Sequence, residues 1–423
     1  MEQLLAREAP PESAATDWAS AFRAANREAF ADLGLPSRRN EAWKYSDLAQ
    51  ALNERKSENA APMAAAPDPI AIAGADLVCF RDGALESGAA LPGDVAKLAE
   101  AIAGPSEDAR LLGAVYPQAN HALIALNASE LGEGLILHVK KGEHRETPLH
   151  VQIDWTALST PSDRGRHVRL LVIVEDGAEA TLVESHIGEP PFATLVTEIK
   201  LSAQARLNHV RLERIGPSGR LSGVTLGELQ TSARYQAFYF SEGARFARHE
   251  AHLKLAGENA EAVLDGACLA AGETHCDNTI VIAHDAPNAQ SRQFFRNVLG
   301  GRAHGVFQGC VKVARPAQKT DARQMCRSLL LSRKARISAK PELEIFADDV
   351  KCSHGATSGE LDEQALFFLR ARGIPLEEAR IMLVEAFLGD GVDSIANESV
   401  REAARALTTD WLAAQASEAF HAG

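Results

Sequence analysis

The sequence predicts a mainly β protein in which a central all-β region lies between helical segments. From about Leu135, short runs rich in branched aliphatic residues alternate with turn residues for about two hundred residues. Helical periodicity is confined to the regions before and after this stretch. A long series of short strands of this kind is typical of a sandwich, a barrel or a β-helix. The pattern of residues alone leaves these three architectures open.

The N-terminal segment is predicted to form a helix. Trp18, Phe22, Ala25, Ala29 and Leu33 recur at helical spacing, which is typical of a face that packs on a core. Gly34 and Pro36 follow and are expected to end the helix. An Ala/Pro-rich stretch at residues 60–75 has no periodicity and is predicted to be a linker.

The central region contains a recurrent short word, a turn residue followed by alanine and an alternating run. It occurs at Ala180, Ala205, Ala233, Ala244, Ala262, Ala303 and Ala335. The intervals of 25, 28, 11, 18, 41 and 32 residues are too unequal for a strict repeat. A β-helix tolerates unequal coils because insertions become side loops, so this architecture is compatible with the intervals.

The C-terminal segment returns to a helical pattern. Residues 357–360 (Thr-Ser-Gly-Glu) fit a capping box that would begin a helix, Gly373 is expected to end it, and Pro375 is expected in the first turn of the next helix. Apolar residues then recur with helical spacing at Val400, Ala404, Leu407 and Trp411. Such short amphipathic helices must pack on the β region, on a partner, or on both.

Composition excludes several classes of function. The 423 residues contain 44 Lys and Arg against 57 Asp and Glu, a net charge of −13 without a basic block, so nucleic-acid binding is not expected. No apolar run approaches the roughly eighteen residues of a membrane span. The first thirty residues lack the apolar core of a secretory signal, and the six cysteines are scattered. A reducing, cytoplasmic location is therefore expected.

The strongest candidate for chemistry is a cysteine and a histidine two positions apart. An extended run at residues 342–347 leads toward Cys352 and His354, which would share one face of a strand with Ser353 on the other. A thiolate and an imidazole are ligands suited to iron or zinc. The alternative interpretation is a half-buried thiol beside a surface histidine.

Other combinations are weaker. The segment 249–252 (His-Glu-Ala-His) has the wrong spacing for a zinc-protease motif, and residues i and i+3 of a strand face opposite sides. Four cysteines are expected to be buried and inert: Cys268, Cys276, Cys310 and Cys326. A basic run is expected to be a solvated face or, alternatively, to meet an acidic partner: Arg323, Arg327, Arg333, Lys334 and Arg336. There is no P-loop and no nucleophile elbow.

Several motifs of this chain resemble one family, the SufD subunits of the SUF iron–sulfur cluster assembly machinery. The matching segments are residues 318–322 (QKTDA), 329–332 (LLLS), 340–345 (KPELEI), 347–357 (ADDVKCSHGAT), 369–374 (LRARGI) and, near the N-terminus, 41–45 (EAWKY). The sister subunit SufB typically carries a His-Glu-Ala word where this chain has Cys352 to Ala356. The resemblance is therefore to SufD rather than to SufB.

The resemblance implies a right-handed parallel β-helix core flanked by helical domains. The expected division is a mostly helical region with a linker at 1–130, the β-helix at 131–356, and a helical domain at 357–423. It further implies a non-enzymatic scaffold that pairs with SufB through the β-helix. A nascent iron–sulfur cluster is expected at that interface, near His354 first and Cys352 second, and none in the isolated chain. Whether the chain forms a homodimer when SufB is absent is left open.

The C-terminal helices are expected to dock the ATPase SufC. Between residues 361 and 388 apolar residues occupy more than one helix face, including Phe367, Phe368, Met382 and Phe387, whereas packing on a core needs only one face. Two alternatives remain. One is a purely structural partner without a ligand role. The other is a carbohydrate-active β-helix enzyme, for which Asp348 and Asp349 are the only adjacent acid pair beside the candidate site.

Overall fold

A computed structural model describes residues 17–54, 68–117, 120–155 and 166–415. It opens with helix α1 (Asp17–Leu33), a 3-10 turn (Glu41–Trp43) and helix α2 (Leu48–Glu54). Gly34 ends α1 as predicted, because it adopts φ +66° and its N–H donates to the Phe30 carbonyl at 2.8 Å. Residues 60–67 of the predicted linker lie outside the described residues.

The rest of the described chain forms strands, followed by a second group of helices. Two helices interrupt the first strands, α3 (Leu98–Ala103) and α4 (Ala122–Ser129). The strands are β1 (Asp76–Arg81), β2 (Ala84–Leu85), β3 (Val95–Lys97), β4 (Glu133–Val139), β5 (Leu149–Asp154), β6 (Arg166–Val174), β7 (Glu179–Gly188), β8 (Ala193–Leu201), β9 (Arg206–Ile215), β10 (Arg220–Leu229), β11 (Arg234–Gly243), β12 (Phe246–Leu255), β13 (Glu261–Ala270), β14 (His275–His284), β15 (Gln290–Leu299), β16 (His304–Val313), β17 (Asp321–Leu330), β18 (Arg336–Ile345) and β19 (Lys351–Gly359).

The strands build a parallel β-solenoid of about seven turns. Sheet A has the order β19-β17-β15-β13-β11-β9-β7-β5-β1-β2, and sheet B has the order β18-β16-β14-β12-β10-β8-β6-β4-β3. From β4 onward, successive strands of the chain alternate between the two sheets, and each strand pairs in parallel with the strand two positions later. The parallel β-helix is confirmed, and the sandwich and barrel alternatives are wrong.

Strand pairing begins earlier than the sequence analysis expects. β1 pairs in parallel with β5, and β3 pairs antiparallel with β4, although both lie in the region assigned to helices and a linker. The reason is local: Val78 and Phe80 alternate with the less buried Leu77, Cys79 and Arg81 on β1, and both are buried in the core of the solenoid. The first coil therefore recruits strands from residues 76–97.

Each coil turns at a corner of the same construction. A residue with positive φ precedes a buried alanine just before a strand of sheet A, as in Gly177-Ala178, Gln204-Ala205, Ser232-Ala233, Asn259-Ala260 and Asn288-Ala289. The methyl group of alanine fills this buried position, and the left-handed residue redirects the chain; at the corner before β17, Thr320 follows Lys319 in the same way. Three further alanines of the recurrent word, Ala244, Ala303 and Ala335, occupy the corresponding corners before strands of sheet B and are also buried.

The buried face of α1 differs from the predicted stripe. Ala19, Asn26 and Phe30 are buried, whereas Ala25 is exposed and Leu33 is 46% exposed. The side-chain amide of Asn26 donates a hydrogen bond to the Phe22 carbonyl oxygen at 2.8 Å. A polar residue can thus lie on the inner face of the helix, and the contact face is rotated by about one residue from the all-apolar stripe.

Three helices follow β19: α5 (Glu363–Arg370), α6 (Leu376–Val392) and α7 (Glu398–Gln415). The predicted inner face of the last helix is confirmed, because its four apolar residues Val400, Ala404, Leu407 and Trp411 are at most 4% exposed. Helices α6 and α7 share a buried cluster with outward-facing residues of sheet A such as Phe238. The helices therefore cover one flank of the solenoid.

The predicted capping box is wrong. Residues 357–359 belong to strand β19, and α5 begins after Asp362, whose carboxylate accepts hydrogen bonds from the N–H groups of Gln364 and Ala365. The strand is extended because residues 357–359 continue the parallel ladder with β17. Within the described residues, no helix is both long and apolar enough to cross a bilayer.

Candidate functional site

Cys352 and His354 lie on the same face of β19, at the end of sheet A. Their ladder partners on β17 are Ala322 and Gln324, which are buried, so both side chains belong to the face that continues the interior of the solenoid. Cys352 is half-buried and His354 is exposed. The run at 342–347 does not lead straight into this strand, because β18 ends at Ile345 in sheet B and the chain turns before it joins sheet A.

The thiol of Cys352 is set in an apolar environment. It packs against a cluster that includes Val350, Leu343 and Ala322. Burial raises the pKa of the Cys352 thiol above its ordinary value. The thiol is therefore protonated at neutral pH, and its use as a ligand would release a proton to solvent or to a nearby base.

This pair offers two ligand atoms, which is fewer than an iron centre requires. Among the described residues, three or more possible ligand side chains converge at one place only, which is elsewhere on the solenoid. An iron atom in a cluster usually has four ligands, mostly sulfur. Any iron held by Cys352 and His354 would need its remaining ligands from sulfide, solvent or another chain.

The two strands that close this end of the solenoid each leave one long edge unpaired. β18 and β19 are the terminal strands of their sheets, and both pair on one side only within the described residues. Ile345 and Phe346 are 39% and 66% exposed beside them. At the opposite end, the short strands β2 and β3 pair antiparallel and terminate the sheets. Long exposed edges are sites for strand pairing with another chain.

The N-terminal motif at 41–45 docks next to this end. The carbonyl of Ala42 accepts hydrogen bonds from Arg248 Nη2 at 2.8 Å and Gln308 Nε2 at 3.1 Å. The Trp43 ring lies 4.1 Å below the Arg248 guanidinium. Glu41 pairs with Lys340 on β18 at 2.6 Å. Two motifs almost three hundred residues apart in the sequence thus meet in space.

The segment 249–252 contributes to a cluster that the sequence did not reveal. His249 faces the interior, whereas Glu250 and His252 face outward and meet His121 at the start of α4, with the three donor groups within 4.8 Å of one another. His121 Nδ1 accepts the Ile124 N–H at 3.4 Å, which places the ring proton on Nε2, and that nitrogen lies 3.1 Å from Glu250 Oε1. The chain separation of 129 residues left no local signal.

The arrangement of hydrogen-bond donors and acceptors in this cluster favours a hydrogen-bonded ion network over a metal site. Arg248 Nε donates to the same Glu250 oxygen at 3.0 Å, so this oxygen is already occupied by a buried guanidinium that also pairs with Asp277. A metal would need the lone pair of His121 Nε2, which carries the proton in this arrangement. Burial alone would raise the pKa of Glu250, but Arg248 and His121 hold it well below its ordinary value.

Four further cysteines are fully or partly buried. Cys268, Cys276 and Cys326 are buried, as predicted, whereas Cys310 is only half-buried. Burial raises the pKa of Cys310 and of Cys326 to about 11. The thiolate fraction at neutral pH is therefore very small at both positions.

The C-terminal helices expose part of the predicted docking set. Phe367 is 75% exposed, Phe368 is 54% exposed and Met382 is 40% exposed. Phe387 differs, because it packs against the buried cluster between α6, α7 and sheet A. Phe387 therefore belongs to the attachment of the helices to the solenoid, and the exposed apolar surface consists of Phe367, Phe368 and Met382.

Comparison with known proteins adds a family match that covers most of the solenoid and extends into the C-terminal helices. The family described as "SUF system FeS cluster assembly, SufBD core domain" matches residues 157–387. The iron–sulfur cluster assembly protein SufD of Escherichia coli is 28% identical over 378 residues, 87% of each chain. A SufBD family protein of Synechocystis is 32% identical over 65% of this chain and 63% of its own length. Protein ABCI7 of Arabidopsis thaliana, described as chloroplastic, is 30% identical over 66% of this chain and 61% of its own length. The chain thus spans less than two thirds of the last two relatives.

Proposed function

Because the chain belongs to the SufBD family of iron–sulfur cluster assembly proteins, we propose that it is a SufD-type scaffold that pairs with SufB and docks the ATPase SufC. In this proposal the chain performs no catalysis of its own. It supplies one wall of a shared site in which a nascent cluster is built as cargo.

The open end of the solenoid carries this proposal. The long unpaired edges of β18 and β19 offer backbone groups to a second chain, and Cys352 and His354 lie on one of these edges with too few ligands of their own. A partner that pairs along this end would bring further ligands to the same place. SufB is proposed as that partner, and a homodimer through the same edges is the expected alternative when SufB is absent.

The proposed test is reconstitution of the complex. The chain is co-expressed with SufB and SufC, purified through a tag on this chain alone, and supplied anaerobically with iron, a sulfide source and reductant. We expect co-purification of both partners and growth of the visible absorption of an iron–sulfur cluster, with no such growth for this chain alone. Failure of SufB to co-purify would contradict the pairing, and cluster formation by the isolated chain would contradict the shared site.

SufC is proposed to bind the apolar surface on α5 and α6. Replacing Phe367 and Phe368 together by serine should weaken SufC binding at least about fivefold, because exposed aromatic residues are frequent energetic centres of interfaces. Binding is measured by titrating labelled SufC into the purified chain. Deleting the helices is a poorer test, since α6 and α7 cover apolar residues of sheet A.

Leu77→Ser serves as the matched control for this substitution. Leu77 is 53% exposed on β1, on the far side of the solenoid from β19 in the order of sheet A. The Leu77→Ser substitution removes exposed apolar surface without changing the helices, so SufC binding should not change. Equal binding by the double variant and wild type would move the docking site away from α5. A cytoplasmic location is also part of the proposal and is based on the six free cysteines; the description as chloroplastic belongs to one relative.

A further inference from the structure

A cavity of about 340 Å³ lies where the strands of sheet B begin and the N-terminal segment crosses them. Its floor is a ladder of residues from successive coils, in which His275 pairs with His304 and His304 pairs with Arg336. Its rim includes Tyr45, the last residue of the N-terminal motif. The volume is in the range of sites that take small molecules.

Positive charge converges on this cavity although the protein as a whole is acidic. Four arginines line it, Arg38, Arg245, Arg302 and Arg336. The carboxylates that line it are Asp47 and Glu273, so four guanidiniums face two carboxylates and a surplus of two positive charges remains. The chain as a whole carries −13, so this surplus opposes the average charge of the protein.

The ion pairs within the cavity involve two carboxylates and three of the four arginines. Arg38 lies 3.8 Å from Asp47, while Arg245 and Arg302 share Glu273 at 3.4 Å each. The side chain of Arg336 forms no hydrogen bond or ion pair with the part of the chain that the structure describes, and it belongs to the basic run noted in the sequence. Burial, together with the positive charges of Arg336 and Arg38, lowers the pKa of His304 to about 4, so the field of these arginines reaches the cavity floor.

We propose that this cavity binds the phosphoryl group of a small molecule. The chemistry follows from the donors: planar guanidiniums present paired N–H groups that match the oxygens of a phosphate. Three of the arginines come from the starts of β12, β16 and β18 and the fourth, Arg38, from the N-terminal segment, so the site exists only when the two are docked. The inference is independent of the proposed cluster assembly, because Cys352 and His354 do not line the cavity.

The test uses inorganic pyrophosphate and ADP as separate probes, titrated calorimetrically into the full chain at low salt. We expect saturable binding of pyrophosphate that weakens as salt is raised, because the attraction is between charges in an open cavity. Tighter binding of ADP than of pyrophosphate would identify a nucleotide as the source of the phosphoryl group. Equal affinities would indicate that the phosphoryl groups alone are recognised.

Two substitutions that should change pyrophosphate affinity in opposite directions make the test specific. Arg336→Gln should weaken pyrophosphate binding about fivefold, because one charge-assisted contact is lost. Glu273→Gln should instead strengthen it about twofold or more, since it releases Arg245 and Arg302 from a competing carboxylate. All of these side chains are at the rim of an open cavity, so both variants are expected to fold.

Arg323→Gln is the matched control. Arg323 is an exposed arginine on β17 that pairs with Asp321 and does not line the cavity, so its removal changes the net charge equally. It should leave pyrophosphate affinity unchanged. Absence of saturable binding of either probe up to about 5 mM, or equal weakening by Arg323→Gln and Arg336→Gln, would overturn the proposal.

Discussion

Replacing His354 with alanine is expected to reduce cluster formation by the reconstituted complex about tenfold or more, while leaving the complex itself intact. Loss of a metal ligand or of its supporting hydrogen bonds usually costs one to two orders of magnitude in metal affinity or activity, roughly 10- to 100-fold. His354 is exposed on β19, so its truncation leaves no cavity in the core. The rate of growth of cluster absorbance is the measurement, with co-purification of SufB as the check on assembly.

Two neighbouring substitutions make this result interpretable. Ser353→Ala removes an exposed side chain from the opposite face of the same strand and should leave cluster formation unchanged. Cys352→Ala should cause a smaller loss than His354→Ala, because burial raises the pKa of this thiol and so disfavours the thiolate that binds a metal. Wild-type cluster formation by the His354→Ala complex would reduce the chain to a structural partner of SufB.

The second large effect is a loss of stability in mild acid. His150 and His284 are almost completely buried, and burial lowers the pKa of each to about 4. In the unfolded chain a histidine takes up its proton near pH 6.5. Between pH 6.5 and pH 4 the unfolded state therefore binds protons that the folded state does not, and the free energy of unfolding falls as the pH falls.

The magnitude is several kcal/mol. Each of these two histidines should contribute a loss of about 2 kcal/mol between pH 7 and pH 5. His249 acts in the same direction, because burial lowers its pKa well below the ordinary value. Glu242 opposes them, since burial raises its pKa to about 7 and the folded state gains a proton there as the pH falls, which offsets about 2 kcal/mol. The net expectation is a loss of at least about 2 kcal/mol.

Urea unfolding at pH 7, 6 and 5, followed by circular dichroism, measures this loss. Glu242→Gln removes the opposing group and should make the loss steeper. His150→Gln removes one titrating group while its amide can still meet Ser185, which lies 2.7 Å from His150 Nε2 in the wild type. This variant should flatten the profile. A stability that does not change between pH 7 and pH 5 in wild type and both variants would contradict the role assigned to these histidines.

The β-solenoid shows which features of a fold can be predicted from local sequence patterns and which cannot. The strands were predictable because branched residues alternate along them, yet three architectures share that alternation. The decisive regularity was present in the corners, where Ala178, Ala205, Ala233, Ala260 and Ala289 follow one another at 27 to 29 residues. It was obscured because the recurrent word also occurs at the corners of the other sheet and within strands. The alanines can be assigned to the corners of one sheet or the other only when the fold is known.

The candidate site was partly predictable for a related reason. The two-residue period of a strand placed Cys352 and His354 on one face, and this needed no tertiary information. The contact of Glu41 with Lys340, the position of His121 beside Glu250, and the burial of Phe387 depend on residues far apart in the chain. Such contacts leave no periodic signal in the sequence.

The difference between the two ends of the solenoid sets a limit on self-assembly. A stack of coils with a long free edge at both ends could grow head to tail without end into a filament. Here the strands β2 and β3 are two and three residues long and pair antiparallel, so that end offers almost no backbone for growth. Within the described residues, only the end that carries β18 and β19 presents whole strands with a free edge. Joining two such chains through their open ends consumes both, so assembly stops at a pair.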